Sequence, residues 1–295
     1  PSDIEELVYR AIPEDATRVI EIETGGIDIM YDMPPQELSR FEGKSNLNIV
    51  ETLGQSTLYM GFNFNVEPFN NKKVRQALNY GVDKKGIIEA VFYGKAKPSY
   101  GPLSPSIWGF DKSLDPAYPY NPEKAKELLK EAGYPDGFEC TAFTDPRTTR
   151  KNVTEMVQAY LSQIGIKVNI EIMEWSRFLS ETANGADGMF ILGWTGTGDA
   201  DGGLYPRFHS NNIGSSNRHQ WGTDKLDKLL DKGRITVDTK ERKEVYKETQ
   251  RYIRENASDI FLAVTEKIAV TKEYVNGFEL YPSNINPLYN VTIEK

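Results

Sequence analysis

The stretch from Glu139 to Ile172 constrains the fold most. Glu139 to Phe143 reads as a strand. Val153, Met156, Val157, Tyr160, Leu161 and Ile164 then recur at intervals of three and four, the buried stripe of an amphipathic helix. Gly165 closes that helix, and Ile166, Val168, Ile170 and Ile172 alternate strictly as a second strand. Another helix follows Trp175, and a further strand covers 189–194. Strands that alternate with helices in this way build a largely parallel sheet, so the chain reads as α/β.

The same signals extend in both directions. Leu7 to Ile12 reads as a short strand stopped by Pro13, and Asp15 caps a short helix that ends at Gly25-Gly26. Ile27, Ile29 and Tyr31 alternate as another strand. Residues 34–57 read as loop with a weak strand at Asn48 to Glu51. Two helical segments follow Leu58, with Asp83 as N-cap between them and Gly94 as a C-terminal stop. Five prolines between 95 and 121 predict a long extended surface loop. Asn121-Pro122-Glu123 starts a helix, with a cap residue followed by Pro at the first helical position. Two late helices, Thr223 to Lys232 and Asp238 to Asn256, precede a hairpin formed by Ile260 to Thr265 and Ile268 to Thr271.

Composition removes several function classes. With 295 residues the chain is long enough for about two domains. No apolar run reaches the ~20 residues of a membrane span. A net charge of −8 gives no electrostatic basis for binding nucleic acid. The single cysteine, Cys140, excludes an internal disulfide and multi-cysteine zinc sites, and reads as a small buried residue. The N-terminus lacks a basic region followed by an apolar stretch, so no signal peptide is read there.

The chemistry concentrates in Met189 to Ser210, MFILGWTGTGDADGGLYPRFHS. A buried strand empties there into a glycine-rich acidic loop, the place where α/β proteins meet ligands. Catalysis finds no G-x-S-x-G elbow, and no enzyme is predicted. Asp199-x-Asp201 starts like a calcium loop, but Leu204 and Ser210 occupy the positions that need Gly and Glu. Two carboxylates also repel a pyrophosphate, and no P-loop exists, so no nucleotide or other cofactor is expected. Recognition remains. Asp199 and Asp201 suit an ammonium group, and Arg147 and Arg150 a ligand carboxylate. Trp108, Trp175, Trp194 and Tyr205 offer flat apolar walls, although Trp175, beside a strand, reads better as core. His209 and His219, ten apart in a loop-rich region without H-E-x-x-H, read as solvated or hydrogen-bonded histidines, with a nickel or haem ligand role as the alternative for either; His209 motivates a metal- or haem-complex ligand. The abundance of Tyr and Trp leaves an oligosaccharide open.

Several long motifs occur in the order found in a known family. KKVRQALNYGVDKKGIIEAVFYGKAKPSYGPLSP at 72–105, YPYNPEKAKELLKEAGYPDGFE at 118–139, GIKVNIEIMEWSRFL and the 189–210 stretch resemble the extracytoplasmic solute-binding proteins of peptide-type ABC importers. TDKLDKLLDKGR and YKETQRYIRENASDIFLAV continue the resemblance over essentially the whole chain. It implies a class II periplasmic-binding-protein fold, a two-lobed Venus flytrap that encloses a solute and delivers it to permease subunits in the membrane. Residues 63–270 would form the complete second lobe. Residues 1–62 and 271–295 would be later parts of the first. On this resemblance the chain is a fragment that begins mid-protein, without the secretion signal or the lipid-anchored cysteine of some relatives.

The resemblance also carries residue roles. Dipeptide-binding relatives hold the peptide's α-amino group with an Asp three residues after the loop Trp. Here Trp194 is followed by Thr197 at that position, with Asp199 and Asp201 further along. The pattern W-T-G-T-G-D-A-D is closer to the glutathione-binding branch. A carboxylate-gripping Arg lies near Thr144–Asp145 in those relatives, and the nearest arginines here are Arg147 and Arg150. The expected ligand is therefore a short peptide, with a glutathione-like peptide as the favoured subclass.

Overall fold

The computed structural model describes residues 4–114, 116–283 and 285–294. In chain order the elements are α1 (Asp15–Thr24), β1 (Ile29–Met30), β2 (Leu47–Phe62), α2 (Lys72–Gly81), α3 (Lys84–Phe92) and β3 (Ala96–Pro98). There follow α4 (Pro122–Glu131), β4 (Phe138–Thr144), α5 (Thr148–Ser162), β5 (Ile166–Ile172), α6 (Trp175–Ala183), β6 (Met189–Thr195) and α7 (Ala200–Phe208). The last are α8 (Asp224–Ile235), α9 (Thr239–Glu255), β7 (Asp259–Lys272), β8 (Val275–Asn276) and β9 (Thr292–Ile293). No described helix is long and apolar enough to cross a membrane.

The chain divides into two units. The smaller comprises Pro1–Gly54, Phe92–Ala96 and Thr265–Lys295, and the larger Gln55–Val91 and Lys97–Val264. In the smaller, β1 pairs antiparallel with β7 through Ile29 opposite Thr271 and Met30 opposite Val270. Val19 and Ile22 of α1 pack with Met30, Leu38, Phe41 and Val270 into its core.

The larger unit holds the predicted βαβ pattern. Parallel β4 and β5 pair from Phe138 opposite Ile166 to Thr144 opposite Ile172. Strand β6 joins β4 in parallel at Ala142 and Phe143. Strand β2 then pairs antiparallel with β6 from Ser56 opposite Thr195 to Phe62 opposite Met189, so the sheet is mixed. Val153, Val157 and Leu161 of α5 are fully buried, as their spacing predicts. Asn121 caps α4 by accepting from the Lys124 N–H at 2.9 Å. Gly137 and Gly165 sit where β4 and β5 start, both with positive φ. A methyl group at Gly137 would lie 1.9 Å from the Gly165 carbonyl oxygen, so only glycine permits this backbone approach.

Several sequence expectations are corrected. Leu7 to Ile12 is not a strand. The loop expected at 34–57 ends instead in the long strand β2, which starts at Leu47. Its polar residues obscure it because the first half of the strand is partly exposed. Gly54 interrupts the pattern as well, at a place where a methyl group would lie 2.9 Å from the Thr265 carbonyl oxygen. The expected hairpin at 260–271 is one continuous strand, β7, since Thr265-Glu266-Lys267 contains no turn former. The segment around 99–107 is not a surface loop: Leu103, Ser104 and Ile107 are buried, and Leu103 and Ile107 join the core formed by α7, α8 and α9.

The expected loop after Asp199 is helix α7. Its Ala200, Leu204 and Phe208 fall four apart and are fully buried on one face. Gly202 and Gly203 serve contact, not flexibility: a methyl at Gly203 would come within 2.3 Å of the Leu103 side chain.

Substituting Gly137→Ala should lower the unfolding free energy by more than about 2 kcal/mol in urea titrations, because strand spacing at 137/165 must open. An unchanged midpoint would contradict the close approach.

Candidate functional site

Open α/β sheets meet ligands at the carboxyl ends of their parallel strands, where loops and helix starts converge. Here β4, β6 and β5 end at Thr144, Thr195 and Ile172. The segments that leave these ends carry most of the candidate residues.

At the end of β4, Asp145 is fully buried. Its Oδ1 accepts the Arg147 N–H at 2.9 Å, which orders the start of α5, and lies 3.3 Å from Arg147 Nε. The Arg150 guanidinium donates to Oδ2 of the same carboxylate. Both guanidiniums lie against Trp175, at 4.1 Å for Arg147 and 5.1 Å for Arg150 from the ring centroid. Cation–π contact of this kind fixes a guanidinium while leaving its edge N–H groups open to a ligand. Burial draws Arg150 below the ordinary guanidinium pKa, while Asp145 pulls it up. A methyl at Gly193 would sit 3.8 Å from Arg150 Nη2, so β6 runs beside this group. Two cations share one anion here, and the cluster is net positive.

At the end of β6, the Trp194 indole N–H donates to the Gly202 carbonyl at 2.9 Å and ties the strand to α7. Between them, Gly198 has φ +86°, and its carbonyl accepts the Trp108 N–H at 3.0 Å. Thr197 stands on this turn. Asp199 caps α7 by accepting the Asp201 N–H at 2.9 Å. Its two oxygens also take a bidentate pair from Arg242, at 2.7 and 2.8 Å. The hydrogen bonds to Asp199 raise Arg242 further above its ordinary pKa, so it stays charged. Asp201 lies 3.4 Å from Arg234 Nε, and burial raises its carboxyl pKa against the pull of Arg234.

The structure thus groups Arg147 with Arg150, and Trp108 and Asp199 with the turn after Trp194. It also brings in residues that the sequence did not single out. Asp145 and Arg242 had no distinguishing signal; Arg242 is one charge among many in TKERKEVYKETQ. Trp175 is partly buried: it packs against the core and stacks on Phe178, as expected of a residue beside a strand, and is also the platform for both arginines.

Neither histidine lies in a solvated loop. His209 is 4% exposed, its Nδ1 accepts the Asn211 N–H at 3.1 Å, and its ring stacks on Tyr205. His219 is buried with Nε2 2.7 Å from Asp259 Oδ1. Asp259 also pairs with Arg207 at 3.2 Å and accepts from the Ser258 hydroxyl at 2.7 Å. Among the described residues, no group of three His, Cys, Asp or Glu side chains is placed to hold a metal ion. Burial pushes the Cys140 thiol up to about 12, which leaves no reactive thiolate near neutral pH.

These features form an arginine- and tryptophan-rich edge at the carboxyl ends of the parallel strands of an α/β scaffold. Comparison with known proteins gives the family. The family described as "Bacterial extracellular solute-binding proteins, family 5 Middle" matches residues 1–215, and the chain belongs to this family. It is 34% identical to the heme-binding protein A of Haemophilus influenzae, over 99% of this chain and 54% of that protein. It is 32% identical to a glutathione-binding protein of Salmonella paratyphi A, over 95% of this chain and 56% of that protein. Among solved structures, the periplasmic binding protein DppA from Helicobacter pylori in complex with the peptide STSA superposes with a TM-score of 0.85 at 32% identity, over 97% of this chain and 56% of that one. The chain spans about half the length of the curated relatives it matches.

The buried Asp259 gives a pH prediction. Burial by itself raises its pKa, but His219 and Arg207 outweigh this and hold it below the ordinary carboxylate value. The stability it contributes is present above the unfolded carboxylate pKa, about 3.9, and is lost as pH falls through the lower folded value. Asp259→Asn should therefore be less stable at pH 6, by about 3 kcal/mol, because Arg207 loses its buried counter-ion. The gap in urea midpoints should narrow as the pH drops below about 4. A gap independent of pH would contradict the assignment.

Proposed function

We propose that the chain belongs to the substrate-binding component of an ABC importer, which captures a short peptide between two lobes and hands it to the membrane permease without chemical change. The observation that carries this reading is the guanidinium pair on Trp175 at the carboxyl end of β4. A fork of two arginines over a flat ring suits a ligand carboxylate, through charge-assisted bidentate hydrogen bonds in a partly desolvated place. Residues 63–270 are proposed as the ligand-binding lobe, with Trp108, Trp194 and Thr197 as further lining. A glutathione-like peptide is the favoured subclass, supported by the W-T-G-T-G-D-A-D turn and by the glutathione-binding relative. An extracytoplasmic location, with a lipid anchor or free in the periplasm, accords with the family's description.

A haem complex is the second reading, supported by the heme-binding relative. His209 is a weak axial ligand for it, since its ring is buried and stacked on Tyr205, with Nδ1 taken by the Asn211 N–H.

Calorimetry on the intact protein with Ala-Ala, glutathione and haemin separates these readings. Peptide binding is expected, and Arg147→Ala, a change at a half-exposed side chain, should weaken it about tenfold or more with the melting temperature held. Haemin binding with a Soret band, and no heat from either peptide, would overturn the peptide reading.

A further inference from the structure

The acids on the β6 turn are the expected receptors for a peptide's ammonium group, yet each faces a guanidinium, and Asp199 has both oxygens hydrogen-bonded to one. Both Asp199 oxygens are bonded to Arg242, at 2.7 and 2.8 Å, and Oδ1 also accepts the Asp201 N–H at 2.9 Å. The guanidinium is itself fixed. Arg242 Nε donates to the Gly233 carbonyl at 2.8 Å and Nη2 to the Tyr246 hydroxyl at 3.1 Å. It also lies 4.9 Å from the ring centroid of Trp108 and 5.0 Å from that of Tyr246. Asp201 is balanced in charge by Arg234 at 3.4 Å, a guanidinium that lies over the Tyr205 ring at 4.0 Å, while the buried Oδ1 of Asp201 accepts no hydrogen bond among the described residues.

The charges of this turn therefore cancel: two carboxylates face two guanidiniums. At the end of β4 they do not, because Arg147 and Arg150 share Asp145. A neutral turn next to a cationic cluster selects through a ligand's carboxylate and gains little from its ammonium.

From this we infer that Arg242 is a specificity-determining residue: by occupying Asp199, it makes the site select peptides by their carboxyl end and accept a blocked amino end, as in an N-acylated peptide. The inference rests on the peptide-binding reading above. Arg242 acts through Asp199 and needs no contact with the ligand. Removing its guanidinium would release a carboxylate that the cap of α7 still holds in place, and would convert the turn into an ammonium receptor.

The test compares Ala-Phe, N-acetyl-Ala-Phe and Ala-Phe-amide by calorimetry on the intact protein. In the wild type the free and acetylated peptides should bind within about threefold of one another, and the amide about tenfold or more weaker. Arg242→Gln should prefer the free over the acetylated peptide by about tenfold. That preference should vanish in Arg242→Gln/Asp199→Asn, and Arg242→Lys, which keeps a cation beside Asp199, should restore the wild-type ratio. A merely structural Arg242 would change the melting temperature without changing the ratio between peptides. Loss of the acetylated peptide by about tenfold in the wild type, or an unchanged ratio in folded Arg242→Gln, overturns the inference. If Arg242→Gln does not fold, the wild-type ratio alone decides it. Failure of all three peptides to bind folded wild type removes the peptide reading itself, and this inference with it.

Discussion

The larger unit is organised around one buried carboxylate. Asp259, at the start of β7, is fully enclosed and meets Arg207 of α7, the His219 imidazole and the Ser258 hydroxyl. Its main-chain carbonyl accepts from Asn79 of α2 at 2.9 Å. The Arg207 guanidinium lies over the ring of Tyr59 in β2 at 3.8 Å. Isolated, either charge would be costly at this depth; together they are tolerable only in one geometry. That requirement fixes α7 against β2, β7 and the turn that carries His219. Its value lies in specifying an arrangement more than in net stability, since apolar groups of similar volume could fill the same space.

The position of α7 sets the position of the candidate site. Asp199 is both the cap of that helix and the end of the turn that leaves β6. Trp194 reaches forward to Gly202, and Trp108 reaches across to Gly198, so the turn is tied to the helix and to the segment that follows buried Ile107. On the neighbouring strand, Asp145 plays a corresponding part: a buried carboxylate orders the start of α5 and holds two guanidiniums against Trp175. Both ends use acids as internal supports.

Much of this is legible in the sequence, for physical reasons that differ by element. The 138–172 unit follows from periodicity, because a helix buried on one face and strands buried by alternation leave strong patterns. Helix α4 is marked by Asn121-Pro122. Strand β2 is obscured by polar residues on a half-exposed stretch, and α7 by glycines that serve close contact with Leu103 and Thr197. Arg147, Arg150 and the 194–201 turn can be nominated from residue type and position at strand ends. Which partner each charge takes is set by tertiary contacts. Arg242 lies 43 positions from Asp199, and no local pattern joins them.

The most direct measurement is a crystal structure of the intact protein with a bound dipeptide. The expected result places the ligand carboxylate within hydrogen-bonding distance of Arg147 or Arg150 above Trp175, with the Asp199–Arg242 pair still closed. A ligand ammonium on Asp199, with Arg242 displaced and the Trp175 cluster empty, would contradict it.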